Sequence, residues 1–98
     1  MKEENKLIAE FMGIESYRFR NYNMFIFDED NHRTEIDLHY HTSWDWLMPV
    51  VSEIKTIGNI RDRFYEGLDR LDTSIMEVDI ELAYQNVVDI IEWYNENN

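Results

Sequence analysis

The segment from Tyr40 to Ile54, YHTSWDWLMPVVSEI, constrains the fold of this chain more than any other stretch. It contains two of the three tryptophans and the only proline. Thr42 is a suitable N-cap for a helix, and Gly58 is a suitable end. Between them, apolar residues recur at the three- and four-residue spacing of one helix face. They are Trp44, Leu47, Met48, Val51 and Ile54, with Trp46, Val50 and Ile57 widening the stripe. The segment therefore predicts a central helix that is buried on two sides.

Pro49 interrupts this pattern, because a helical proline cannot donate to the carbonyl four residues earlier, here that of Asp45. Such a proline costs about 3 kcal/mol and usually bends the helix. Two interpretations stay open. The proline either lets a long helix wrap a curved sheet, or it places a freed carbonyl or a reoriented tryptophan at a binding surface. We favour the first, because packing explains most prolines of this kind.

The segments before the central helix predict one helix and three strands. Asn5 to Gly13 has helical spacing, with Gly13 as its end. A half-buried strand is expected from Tyr17, followed by a turn at 21–23 and a second strand at 24–27. In the third strand, alternation places one set of side chains on each face. Ile36, Leu38 and Tyr40 form one set, and Glu35, Asp37, His39 and His41 form the other.

The segments after Gly58 are helical in spacing, although one of them is ambiguous. The four-, four- and three-residue spacing of Ile60, Phe64, Leu68 and Leu71 favours a helix, whereas Gly67 weakens it by about 1 kcal/mol relative to alanine. A pair of strands within 59–78 stays open. Asp79 can cap a final helix. Its inner stripe is Ala83, Val87, Ile90, Ile91 and Tyr94, flanked by Tyr84, Val88 and Trp93.

These elements predict the α+β class, with a small antiparallel sheet of about three short strands packed against three to four helices. Residues 1–98 have enough chain for one modest core, and we expect a single globular domain. The core is predicted to bring six side chains together. They are Trp44, Leu47, Val51, Ile54, Val87 and Ile91.

The formal charge of −12 disfavours nonspecific binding to nucleic acids and to anionic membranes. Nucleic acids and anionic membranes need a basic surface, so we expect neither to be bound directly. The charge permits attraction to a basic protein instead, including one that itself handles nucleic acid, but solubility is the first explanation of such acidity. From Leu71 to the C-terminus there are seven acids and no lysine or arginine, which predicts an acidic outer face on the last helix. A homo-oligomer is compatible with this composition.

The chain lacks the residues of most catalytic and targeting motifs. Without cysteine there is no disulfide, thiolate metal site or cysteine nucleophile. There is no phosphate-binding glycine loop and no nucleophile elbow, and no early stretch has the pattern of a signal peptide or a membrane span. We therefore expect a cytoplasmic protein that is not an enzyme and needs no cofactor.

The histidines could in principle hold a metal. His39, His41 and Asp37 lie on one face of the expected third strand, and Glu35 or His32 could supply a further ligand. A solvated strand face explains the same residues, so no metal site is predicted.

Two other groups of residues are candidate binding sites. Guanidinium groups and aromatic rings suit a small anionic nucleotide. The residues of this first group are Arg18, Arg20, Tyr22, His32 and Arg33. The second group would meet a protein partner through the acidic helix face and through tryptophans at the edges of apolar stripes. Its residues are Trp46, Asp89, Glu92, Trp93 and Glu96.

Three segments resemble a family of small phage and prophage proteins of Bacteroidetes. They are NKLIAEFMG at Asn5 to Gly13, YHTSWDWLMPVVSEI at Tyr40 to Ile54, and VVDIIEWYNEN at Val87 to Asn97. More distantly, they resemble phage domains described as an α/β/α sandwich. Members often carry a strand pair where this chain has helical spacing. The resemblance implies a phage origin and a role in infection, and it assigns no catalytic residue.

Together these observations favour a non-enzymatic phage accessory protein in the cytoplasm of the infected bacterium. It would bind and inhibit or sequester a host component, in the favoured case one of an antiviral defence. The alternative is a sponge that captures a nucleotide signalling molecule through the arginine and aromatic group. A metal-dependent enzyme using His39 and His41 ranks behind both.

Overall fold

The computed structural model describes residues 2–97 and, from Glu4 onward, their side chains. This part of the chain contains a three-stranded antiparallel sheet and five α-helices, so the predicted α+β class is confirmed. The elements in chain order are α1 (Lys2–Phe11), β1 (Glu15–Phe19), β2 (Tyr22–Asp28), β3 (Asn31–Thr34), α2 (Trp44–Thr56), α3 (Gly58–Arg63), α4 (Tyr65–Met76) and α5 (Ile80–Asn97).

The sheet has the order β1-β2-β3, and its two faces differ. Phe25 lies on the inner face and is completely buried, whereas Tyr17, Phe19 and Tyr22 on the outer face are exposed. The prediction of a half-buried first strand is wrong, because every residue of β1 is exposed. As an edge strand it has a neighbour on one side only, and its outward side chains lie on the uncovered face.

The hairpin turn between β1 and β2 lies earlier than predicted. Arg20 and Asn21 form the turn, and Tyr22 already pairs with Phe19 across the hairpin. Arg20 has a φ of 58°, the left-handed conformation that a tight hairpin turn often requires. The expected turn at 21–23 is therefore wrong by about one residue.

The third strand also lies earlier in the chain than predicted, since β3 ends at Thr34, before the residues 35–41 that were expected to form it. After β3, Glu35–Asp37 forms a 3₁₀ turn in which the amide of Leu38 donates to the carbonyl of Glu35 across 3.2 Å. Ile36 is exposed while Leu38 is buried, so the alternation expected over residues 35–41 is wrong. The Thr34 hydroxyl donates to the Asp37 carboxylate across 3.3 Å, a local bond of the type that competes with strand pairing.

A central helix was predicted and is confirmed as α2. Its N-cap and part of its apolar stripe differ from the prediction. The amides of Thr42 and Ser43 donate to the carbonyl of His39, so Thr42 belongs to a turn and Ser43 becomes the N-cap. Met48 is exposed, contrary to prediction, and Trp44 is only half-buried. The buried residues of the helix are Leu47, Val50, Val51 and Ile54.

The segment after Gly58 is helical, so the strand alternative within 59–78 is wrong. It forms α3 and α4, and α4 packs on α5 as a helical hairpin. The predicted cap of α5 is confirmed, since the Asp79 carboxylate accepts from the amide of Leu82 across 3.1 Å.

One apolar core joins α1, β2, the segment before α2, and the four C-terminal helices. Five of the six side chains predicted to meet there are buried in this core; the sixth, Trp44, packs against it. In the described part of the chain, every helix is too short or too polar to cross a bilayer.

Candidate functional site

Trp46 lies at the centre of an aromatic cluster on the first turn of α2. Its indole meets the rings of Phe27, His39 and Tyr40 edge to face, with centroid separations of 5.5, 5.5 and 5.2 Å. Edge-to-face pairs of this kind stabilise beyond their buried area. The indole is only half-buried, so part of Trp46 stays accessible.

An open groove of about 350 Å³ runs beside this cluster. It forms where the end of α1, the second strand and the start of α2 converge. Its lining residues are Met12, Ile14, Phe27, Tyr40, Asp45, Trp46 and Pro49. Asp45 is the charged residue among them and is itself exposed. The groove can therefore receive an apolar group and offer a carboxylate to a cation beside it.

Pro49 leaves one backbone acceptor of α2 without its usual helical donor. Proline has no amide hydrogen, so the carbonyl of Asp45 lacks the donor that a helix would normally place four residues later. Asp45 and Pro49 both line the groove. The residue whose carbonyl lacks its usual helical donor is thus one of the residues that line the groove.

Tyr40 forms the buried side of the groove. It is 4% exposed, and burial raises the pKa of its phenol above the ordinary value of 10.0. The ring is therefore neutral at physiological pH and acts as an apolar wall.

Arg33 contacts the same cluster but does not line the groove. Its guanidinium carbon lies 5.3 Å from the Trp46 ring centre and 6.0 Å from that of Phe27, within the range of cation–π attraction. Its Nε donates to Oδ1 of Asn31 across 3.0 Å. With the described residues it forms no ion pair, so the aromatic faces and Asn31 hold it in place.

The residues predicted to bind a protein partner lie in two places. Asp89, Glu92 and Glu96 form an exposed acidic stripe along α5, as expected. Trp93 instead stacks on Phe64, with ring centres 4.9 Å apart and an interplanar angle of 2°. Trp46 and Trp93 therefore belong to different aromatic clusters.

The five residues proposed as a nucleotide site do not converge. The strand register puts Arg18 and Arg33 on the inner side of the sheet and Tyr22 and His32 on the outer side. Arg20 lies in the hairpin turn over Phe19. His32 instead forms a hydrogen bond of 2.9 Å with Tyr17, which also lies on the outer side of the sheet.

The two histidines considered as metal ligands point to different neighbours. His39 packs against Trp46, whereas Nδ1 of His41 lies 3.0 Å from the side-chain nitrogen of Asn5. The common strand face that would have joined them is absent. Within the described residues, no three His, Asp or Glu side chains come close enough to share a metal ion.

Sequence reasoning identified Trp46 but missed most of the groove around it. The one signal in the sequence was Pro49, because the missing hydrogen bond to the Asp45 carbonyl can be inferred from the helix alone. Met12, Ile14 and Phe27 join the site from distant segments, and nothing in their local patterns distinguishes them from core residues.

Comparison with protein-family models, curated proteins and solved structures finds no match to this chain.

Proposed function

We propose that this chain is a non-catalytic phage accessory protein that binds a protein of the infected host through the groove beside Trp46. The observation that carries the proposal is the groove itself, in which aromatic walls lie next to the Asp45 carboxylate. Sites that hold small molecules or peptide anchors are concave and mostly apolar, with a few placed polar groups. At about 350 Å³ the groove is near the small end of that range, which suits one anchoring side chain and its neighbour.

The groove chemistry favours a segment in which an apolar side chain stands next to lysine or arginine. The apolar side chain would fill the space between Phe27, Tyr40 and Trp46. The cation would meet the carboxylate of Asp45 and the carbonyl that Pro49 leaves without a helical donor. Tryptophan and tyrosine faces also attract cations directly.

The charge of the whole chain supports the same kind of partner. With a net charge of −12 and an acidic stripe on α5, the molecule attracts basic proteins over distance. The phage origin, and inhibition or sequestration of a defence component, rest on the family resemblance. A small acidic protein acting in the host cytoplasm would occupy the surface that such a component uses for another ligand.

A pair of matched charge reversals tests the groove. Asp45→Lys reverses the charge that lines it, and Glu53→Lys makes the same change at an exposed position of α2 outside it. Tagged wild-type and variant proteins would be recovered from infected cells and their bound proteins identified. We expect Asp45→Lys to lose the partner and Glu53→Lys to keep it, with melting temperatures measured to establish that both fold.

The outcome against the proposal is equally definite. A partner recovered equally with wild type and Asp45→Lys binds elsewhere, and the groove is then not the functional site. A partner recovered by neither Asp45→Lys nor Glu53→Lys responds to overall charge alone.

The acidic stripe is tested separately by salt. Reversing Asp89 and Glu92 to lysine should slow association with the recovered partner, because both side chains are exposed and contribute to long-range attraction. Raising the salt from 0.1 M to 1 M shortens the screening length from about 10 Å to about 3 Å. The association rate of the wild type should therefore fall more steeply with rising salt than that of the reversed variant. Equal salt dependence would remove the stripe from the proposal.

Arg33 supports nucleotide capture as a second candidate function. A guanidinium stacked on aromatic rings without a carboxylate partner is suited to phosphate recognition. Cyclic and linear nucleotides would be added to the purified protein and the melting temperature followed. A rise that Arg33→Ala abolishes, and that Asp45→Lys does not, would favour this function over protein binding.

A further inference from the structure

The turn between α4 and α5 places a valine where helices usually end in glycine. The amide of Val78 donates to the carbonyl of Ile75, and that of Asp79 to the carbonyl of Ser74, both across 3.0 Å. These two bonds define a Schellman motif, whose key residue adopts the left-handed conformation. Val78 is that residue, with a φ of 55°. A β-branched side chain is disfavoured there by contact with its own backbone.

The same motif ends α1 with the expected residue. The amides of Gly13 and Ile14 donate to the carbonyls of Glu10 and Ala9 across 3.0 Å, and Gly13 has a φ of 76°. Glycine adopts this conformation without steric cost. Val78 gains little from packing in exchange, because it is 72% exposed. Folding alone thus gives no reason for a valine at 78, and strained residues of this kind cluster at functional sites.

Two further apolar side chains close to Val78 in the chain are exposed. Met76, the last residue of α4, is 84% exposed, and Leu82, in the first turn of α5, is 45% exposed. We call Met76, Val78 and Leu82 the α4–α5 corner. Leu82 also lines a furrow of about 290 Å³ between the two helices, together with Asp69, Arg70, Thr73 and Asn86. Leu82 therefore belongs both to the corner and to the furrow along the helical hairpin.

The charges around the corner are all negative. Glu77, Asp79 and Glu81 are exposed within the same turn, and no lysine or arginine follows Leu71. Arg70, at the far end of the furrow, stacks on Phe64 with its guanidinium carbon 5.8 Å from the ring centre. If two copies of this chain met at their corners, their acidic residues would face and repel each other. An anionic membrane would also be repelled. The matching surface is apolar with a basic rim.

We propose that the α4–α5 corner and its furrow bind an amphipathic helix of a partner protein that carries lysine or arginine beside its apolar face. The apolar side chains of that helix lie in the furrow and against Met76 and Val78. Its cations meet Glu77, Asp79 and Glu81. Helices recognised in this way insert an apolar stripe into a groove between two helices. This surface is separate from the groove beside Trp46, and its proposal does not depend on that groove.

Val78 allows an unusually clean test, because removing its side chain relieves strain. The probe is a fluorescent 14-residue helical peptide of leucine and lysine, with leucine on one face. Binding would be measured by anisotropy to the wild type, to Val78→Gly and to Met76→Gln. Two variants serve as controls, Ile36→Gln at another exposed apolar residue and Glu53→Lys at an exposed acid of α2. Each protein is also measured with Asp45→Lys added, which removes any peptide that binds in the Trp46 groove.

We expect Val78→Gly and Met76→Gln to weaken peptide binding about tenfold each, as at central interface residues. Val78→Gly should melt no lower than the wild type, so that unfolding cannot account for its loss. Ile36→Gln and Glu53→Lys should bind like the wild type, and a peptide with glutamate in place of lysine should not bind.

Three results would overturn the inference. The first is unchanged peptide binding by both Val78→Gly and Met76→Gln. The second is equal binding of the lysine and glutamate peptides, which would show that charge does not select the partner. The third is a wild-type dimer in sedimentation that Val78→Gly dissociates, which would place a second copy of this chain at the corner. Failure of the Trp46 groove would instead appear only in the Asp45→Lys recovery experiment.

Discussion

The side-chain amide of Asn5 donates to Nδ1 of His41 across 3.0 Å and to the carbonyl of Leu38 across 3.1 Å. A carbonyl can only accept, so the second bond fixes which end of the amide is nitrogen. It follows that Nδ1 of His41 is the acceptor and that the neutral imidazole carries its proton on Nε2. Asn5 is completely buried, and it thereby ties α1 to the segment that leads into α2.

Replacing Asn5 by leucine should lower the free energy of unfolding by about 1–3 kcal/mol, because the buried carbonyl of Leu38 and the half-buried His41 lose their donor. Urea unfolding measures the change. Asn95→Leu, at an exposed position of α5, is the control and should stay within about 0.5 kcal/mol of wild type. Nitrogen NMR of the wild type should find the His41 proton on Nε2, and a proton on Nδ1 would contradict the bonding described.

Gly67→Ala should destabilise the chain although alanine is the better helix former. A β-carbon at Gly67 would lie 2.5 Å from Cε2 of Phe64 and 3.1 Å from Cγ1 of Ile90. Phe64 cannot move freely, because it is stacked on Trp93. Forcing the ring aside should cost about 1–3 kcal/mol.

Gly58→Ala is the matched control for that substitution. Its added β-carbon would meet only the end of the Arg61 side chain, at 3.9 Å. We expect thermal unfolding to separate the two alanine variants clearly, with Gly58→Ala near the wild type. Equal melting temperatures for both would mean that Gly67 is not needed for close packing.

Val78→Gly should raise the free energy of unfolding by about 1 kcal/mol, since it removes the left-handed valine described above. The gain is reduced by the greater flexibility of glycine in the unfolded chain. The reciprocal change Gly13→Val should lose a comparable amount, because it introduces the same strain at the end of α1. Urea unfolding of both variants tests the sign of each effect. A loss of stability in Val78→Gly would contradict the strain argument.

The stability should fall above pH 10 because of Tyr84. Burial raises the pKa of this phenol far above its ordinary value of 10.0, and the negative charge of Glu4 raises it further. Below that ordinary value both states hold the proton, so stability is unaffected. Above it the unfolded chain releases the proton first, and stability falls by about 1.4 kcal/mol per pH unit for one phenol. The buried phenol of Tyr40 adds to the fall in the same direction.

Urea unfolding of Tyr84→Phe at pH 9 to 11.5 should give a shallower fall than the wild type. Tyr65→Phe, which changes an exposed phenol, should leave the slope as it is. A wild-type slope retained in Tyr84→Phe would assign the alkaline loss to another group.

Leu47→Ala should cost about 2–5 kcal/mol, the usual range for truncating a buried leucine. Leu47 is fully buried in α2, whereas the next residue, Met48, is 39% exposed. Met48→Ala should therefore cost well under half as much. A change below about 0.5 kcal/mol in Leu47→Ala, measured by urea unfolding, would contradict its place in the core.

Local patterns in the sequence determined most of the secondary structure. Helical spacing predicted α2 and α5, Asp79 predicted the start of α5, and Gly13 predicted the end of α1. These signals depend on neighbours three or four residues apart, and helix formation depends on the same neighbours. The helical spacing after Gly58 was likewise readable, although Gly67 argued against it. Only the tertiary structure explains that glycine, because Phe64 and Ile90 occupy the space of a side chain.

The strands and the candidate site were decided by contacts between distant segments. Alternation over residues 35–41 matched a strand equally well, but Thr34, Asp37 and the Glu35 carbonyl formed a local turn instead. Exposure of β1 depends on its place at the sheet edge, and that place is set by pairing with β2 alone. The groove beside Trp46 needs Met12, Phe27 and Tyr40, whose chain positions say nothing about their meeting. The left-handed Val78 has no sequence signal, since valine is the residue least expected to adopt that conformation. Composition alone determined the acidity, but packing decided where apolar side chains stay exposed within it.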